Sequence, residues 1–260
     1  MFPPEIFGEI FSLLSSEADV LVACGQAHPI FAQLVEPILY AHVIIHNHDL
    51  DLEDDHHLIF RPSQLSALLS NNPRIVNYLR SLCIEFFQLY FSTLEGIIAI
   101  LPGLKLERIR LSFGHSDFTS DWKWFPTSFR TAFVACISTP FMKEIGIDAI
   151  YNIPLSSFAD CAGLKRLTLF QNAVLRPNTL CSFPQLEALE LSHWMVDGHS
   201  RRLLSWMLTH ASGLRSLTLR TPRKKAIRKF LPQLLSICSA SLVNLSIYYT
   251  NPSKSTHQIT

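Results

Sequence analysis

Leu164-Lys165-Arg166-Leu167-Thr168-Leu169 is the stretch whose reading decides the fold. Leucines at its fourth and sixth places fall on one side of a short strand, because strand side chains switch faces at every residue. The frame recurs downstream as Leu186-x-x-Leu189-x-Leu191, Leu214-x-x-Leu217-x-Leu219 and Leu242-x-x-Leu245-x-Ile247. Upstream it reads Leu79-x-x-Leu82-x-Ile84, Leu106-x-x-Ile109-x-Leu111 and Met142-x-x-Ile145-x-Ile147. Successive first anchors are separated by 27 (79 to 106), 36 (106 to 142), 22 (142 to 164), 22 (164 to 186), 28 (186 to 214) and 28 residues (214 to 242). One such frame in a leucine-rich chain is weak evidence; seven in succession argue for a repeat architecture.

With Asn172 at its ninth place, the founding frame is the leucine-rich-repeat signature. The ninth places of the other copies hold Phe87, Gly114, Ile150, Trp194, Pro222 and Thr250, so there is no regular asparagine ladder and the solenoid should be irregular. A single repeat buries too few side chains to offset the ordering of its own backbone, so the copies must stack on a continuous core. The expected class is α/β, with parallel strands on a concave face and helices and loops on the convex one. Amphipathic stretches at Ser63 to Leu69, Ser92 to Leu101, Ser128 to Ile137, Ser200 to Thr209 and Lys224 to Ile237 supply the helices. Pro154 to Cys161 and Pro177 to Ser182 leave room only for single turns or loops.

The first forty residues depart from the frame. Pro3 and Pro4 suit a helix start, and Ile6, Ile10, Leu13 and Leu14 then fall on one helical stripe. A second helix is expected from about Glu17 to Cys24 and a third from about Pro29 to Val35, with Val20, Leu21, Ile30, Phe31 and Leu34 facing inward. The chain thus divides into a helical motif (1–41), an acidic, histidine-rich connection (42–62), the repeats (63–250) and a polar tail (251–260). If nothing covers the last strand, its edge is an association risk.

Phe2-Pro3-Pro4-Glu5-Ile6, Ile10-Phe11, Leu13-Leu14, Asp19-Val20-Leu21, Phe31, Leu34 and Glu36-Pro37-Ile38-Leu39-Tyr40 together resemble the F-box, especially as found in F-box proteins of mushroom-forming fungi. The resemblance implies docking onto a Skp-family linker of a cullin-RING ubiquitin ligase and presentation of a protein substrate on the repeats. It also implies that Pro3, Pro4, Glu5, Ile6, Ile10, Leu13, Leu14, Leu21 and Phe31 form the linker-binding residues. The competing reading is a ligase-independent repeat scaffold on which residues 1–41 are only a cap. An exposed apolar stripe on these helices would count for docking, and a buried one for a cap.

Composition narrows the partners. The chain has 260 residues, is 48% hydrophobic and carries a net charge of +1, which gives no general attraction to nucleic acid or acidic membranes. Six separated cysteines without a C-x-x-C pair fit free thiols of a reducing compartment. Glu5 and Glu9 interrupt any signal-peptide core, and no stretch is apolar enough to span a membrane. An intracellular protein, cytoplasmic or nuclear, is expected.

No nucleophile elbow, P-loop, dinucleotide fingerprint or H-E-x-x-H is present, so neither an enzyme nor a cofactor is expected. His46, His48, His56 and His57 lie among five acidic residues; the stretch fits a divalent-metal loop or a solvated connection, and no metal is expected. Phe118, Trp122, Trp124 and Phe125, in the insertion from Gly114 to Pro126, fit either core cover or partner anchors. The basic run from Pro222 to Lys225 with Arg228 and Lys229 fits an import signal, a contact with acidic groups or a solvated helix face. Positions alternating with the leucines should line the concave face. Among them Arg110, Phe170, Glu190, Arg220 and Tyr248 are the candidate substrate contacts.

Overall fold

The computed structural model describes residues 3–46, 58–86, 94–113, 120–170, 174–176, 186–192, 213–221, 232, 236 and 240–249. They form two compact units, residues 1–114 with 125–142, and residues 115–124 with 143–260. Both are built on parallel strands, and the first is mixed α/β: every α-helix whose span is described lies in it.

The first unit opens with three helices, α1 (Pro4–Leu13), α2 (Ala18–Ala27) and α3 (Pro29–Leu39). Proline stands at the first position of α1 and α3, where a missing N–H costs nothing. His28 caps α3 by accepting the Ile30 N–H at Nδ1, 3.1 Å away. Helix α3 runs past its expected end at Val35, through Pro37; the Gln33 carbonyl left without a donor belongs to an exposed residue that water can serve.

Two apolar stripes compete for the inside of α1, and the aromatic one wins. Phe7, Phe11 and Leu14 pack with Leu21, Phe31, Leu34 and Val35, and the Phe7, Phe11 and Phe31 rings meet at centroid distances of 4.9 to 6.3 Å. Larger rings bury more apolar area, so they take the core. Val20 and Ile30, expected inside, are exposed.

The strands of the first unit are β1 (His42–His46), β2 (Leu58–Phe60), β3 (Ser81–Phe86) and β4 (Arg108–Phe113), paired in the order β4-β3-β1-β2. Helix α4 (Pro62–Asn71), α5 (Glu95–Ile100) and α6 (Thr127–Ile137) accompany them. Phe129 of α6 is fully buried, stacked on Phe125 and Phe133 and edge-on to Phe86. Cys136 is buried on the same helix, and burial pushes its thiol up to about 12, leaving almost no thiolate at neutral pH.

The second unit holds β6 (Glu144–Asp148), β8 (Arg166–Phe170), β10 (Ala188–Ser192), β11 (Ser216–Thr221) and β12 (Asn244–Tyr249), in the order β12-β11-β10-β8-β6. A separate small sheet joins β5 (Ser120–Asp121), β7 (Ile150–Pro154) and β9 (Val174–Arg176). The part of the insertion that is described therefore forms a two-residue strand and a 3-10 turn over Trp122–Trp124, and Trp122 and Phe125 are buried while Trp124 stays 47% exposed.

Asp121 of β5 is a buried fixing point. Its carboxylate accepts from the Lys123 main-chain N–H at 3.0 Å and from the Asn152 amide at 3.1 Å, with the Lys123 ammonium 3.2 Å away. Asn152 has φ 62, a left-handed conformation that asparagine tolerates. Burial raises the Asp121 pKa, but the Lys123 N–H, the Asn152 amide and the Lys123 ammonium together hold it below its ordinary value of 3.8. Its stabilising share is thus complete above that value and lost as pH falls through the lower native one. Asp121→Asn should reduce stability at pH 7 and converge with the parent in acid, as checked by urea unfolding at stepped pH.

Every one of the seven frames carries a strand, and the anchors align across neighbours without slip. Leu82 faces Ile109 in the first unit; in the second, Ile145, Leu167, Leu189, Leu217 and Leu245 form one row. All anchors of the first six copies are buried. An eighth copy was hidden in the sequence: Val43 and Ile45 of β1 pair with Leu82 and Ile84, so Tyr40-x-x-Val43-x-Ile45 occupies the same frame.

Main-chain chemistry repeats as well. One carbonyl accepts two successive N–H groups at the start of the next strand. Ala41 O takes Arg80 and Ser81, and Arg80 O takes Glu107 and Arg108, at 2.7 to 3.0 Å. In the second unit Lys143, Lys165, Glu187 and Arg215 each do the same for the strand that follows.

Candidate functional site

Two surfaces could bind a partner, one in each unit. In the first, helix α1 presents Ile6, Ile10 and Leu13 at i, i+4 and i+7, exposed by 41, 45 and 84% respectively. They lie outward because Phe7, Phe11 and Leu14 hold the opposite side of the helix in the core. Pro3, Pro4 and Glu5 precede the stripe and are exposed. Leu21 and Phe31 are placed differently: Leu21 is fully buried and Phe31 is packed among Phe7 and Phe11, so both hold the three helices together from inside. Leu14 is half-buried at the same cluster.

The second surface is the face that alternates with the leucines. Glu190, Arg220 and Tyr248 come from three adjacent strands. Arg220 Nε lies 2.8 Å from Glu190 Oε1, and its guanidinium carbon sits 4.8 Å from the centre of the Tyr248 ring. In strict register Glu190 opposes Thr218, so the arginine reaches it diagonally. The pair holds a planar cation over a half-exposed aromatic ring, an amphipathic contact area. Phe170 is half-buried on β8. The positions at Gly146, Asp148, Thr168 and Ser192, expected to line the same face, are buried.

Arg110 lies in the first unit, exposed on β4 and opposite Cys83. Beside it, Cys83 Sγ is 3.7 Å from Glu85 Oε1, and the buried His46 lies with Nε2 3.3 Å from Glu85 Oε2. His46 is the one member of the histidine-rich stretch among the described residues; His48, His56 and His57 lie outside them. Among the described residues no group of side chains is arranged to hold a metal ion, and no helix is long and apolar enough to cross a membrane. Asn172, Phe118 and the basic run after Pro222 also lie outside the described residues.

Sequence reasoning placed Glu190, Arg220 and Tyr248 on one face but did not foresee their contact, since a diagonal reach depends on side-chain length rather than on the frame. No protein-family model matches the chain, and a search of curated proteins returns no relative.

Proposed function

We propose that the chain is a substrate-recruiting adaptor of a Skp-cullin-F-box type ubiquitin ligase, an F-box-like helical motif followed by an irregular leucine-rich-repeat solenoid. The observation that carries this reading is the stripe Ile6, Ile10 and Leu13. Three large apolar side chains stand in water on a helix that has a second apolar face available for its own core. A cap has no use for such a stripe, whereas a docking helix needs it. The solenoid reading is supported by the in-register anchor rows and the repeated two-donor carbonyl.

In this reading the mechanism is positional. The helices hold the linker, the Glu190, Arg220 and Tyr248 face takes a protein substrate, and the substrate's lysines gain effective concentration near the charged ubiquitin-conjugating enzyme. The chain supplies no covalent chemistry.

The test is a pull-down of the purified chain with a Skp-family linker, beside the double variant Ile6→Asp, Leu13→Asp. Because both side chains are exposed, the variant should stay folded by circular dichroism while binding weakens at least about a hundredfold, as expected for charges placed in an apolar interface. Absence of binding by the parent at micromolar concentration would move the protein to the scaffold reading.

A further inference from the structure

Strand β12 departs from the other six frames in its burial. Leu245 is 37% exposed, and Leu242 and Ile247 are only half-buried, although their counterparts in the other six frames are inside. β12 is the end strand of the second unit's ladder, pairing with β11 along six residues from Ser216↔Asn244 to Thr221↔Tyr249. Among the described residues no strand pairs with its outer side.

Parity fixes what that side offers. The Asn244 N–H donates to Arg215 O, so the main-chain groups of Asn244, Ser246 and Tyr248 turn toward β11. Those of Leu245, Ile247 and Tyr249 turn outward. Natural edges are blunted by shortness, proline or charge. The outer strand of the first unit, β2, has three residues. β12 has six, Asn-Leu-Ser-Ile-Tyr-Tyr, with no proline, acid, lysine, arginine or histidine, whereas β6, β8, β10 and β11 each carry a charged residue.

We infer that the β12 edge binds the β12 edge of a second copy, antiparallel, about a twofold axis at Ser246. This register opposes Leu245 to Ile247 of the second copy, and both of these have outward main-chain groups. The two symmetric pairs exchange about four N–H···O bonds. The half-exposed anchors Leu245 and Ile247 then cover one another on the core side, with Asn244 against Tyr248 and Ser246 against its own copy on the other. Without ionic charge on the strand, two copies do not repel. A parallel, head-to-tail arrangement would leave one edge open at each step, whereas the antiparallel pair closes.

Sedimentation velocity of the full chain at about 1 to 100 micromolar tests this. A concentration-dependent dimer is expected. Ser246→Lys and Ser246→Asp each place like charges face to face at the axis, on the half-buried side of the strand away from the core. Each should raise the dissociation constant at least about tenfold while circular dichroism stays unchanged, and mixing the two variants should restore a heterodimer. A parent that stays monomeric at the highest concentration, its edge covered by its own residues 250–260 or by nothing, would overturn the inference. So would a dimer unaffected by both substitutions.

Discussion

Phe129→Ala is expected to destabilise the protein by about 3–5 kcal/mol. Phe129 is fully buried and its ring lies 5.5 Å from Phe125, 6.3 Å from Phe133 and 5.8 Å from Phe86. Removing the ring subtracts its transfer free energy and also leaves a cavity that three other rigid rings cannot close. The aromatic contacts are forfeited as well. Urea unfolding should show a lower midpoint; a loss below about 1 kcal/mol would mean that the ring does not occupy the core.

Leu21→Asp should be comparably severe, and its value lies in the contrast with Leu13→Asp. Leu21 has no exposed surface and sits among Phe11, Val35 and their neighbours, where a carboxylate finds no water. A cost on the order of 3–5 kcal/mol is expected, enough to melt three short helices. Leu13, at 84% exposure, should accept aspartate within about 0.5 kcal/mol. Thermal unfolding followed by helical ellipticity separates the two. A large loss from Leu13→Asp would show that the stripe is covered, which would remove the observation on which the adaptor reading stands.

The parallel strands were legible because their physics is local and periodic. Three apolar anchors in a fixed frame mark each strand, and the seven frames named from sequence each carry one. The eighth was missed because Tyr40, Val43 and Ile45 stand where leucine is customary, right after a helical motif that draws the eye. What the frame cannot say is how far an anchor is buried: Leu245 has the same sequence setting as Leu217, yet burial depends on what lies beyond the strand. The orientation of α1 was likewise not decidable from periodicity. Its stripes Ile6, Ile10, Leu13 and Phe7, Phe11, Leu14 are offset by one residue, and residues of the other two helices, Leu21, Phe31 and Val35 among them, select between them. Of the candidate contacts, the shared face of Glu190, Arg220 and Tyr248 followed from period two, but their ion pair and ring contact did not.

The two-donor carbonyl has a bearing on evolutionary freedom. At the six acceptor positions the side chains are those of Ala41, Arg80, Lys143, Lys165, Glu187 and Arg215, five of them charged and of both signs; Lys165 and Glu187 also pair through their side chains, but the two-donor bond itself uses only peptide oxygens. A lock made of main chain alone holds register without preferring any residue. Such a chain can exchange much of its surface lettering while each strand still begins where the last one dictates, so that ancestry fades from the sequence faster than from the backbone.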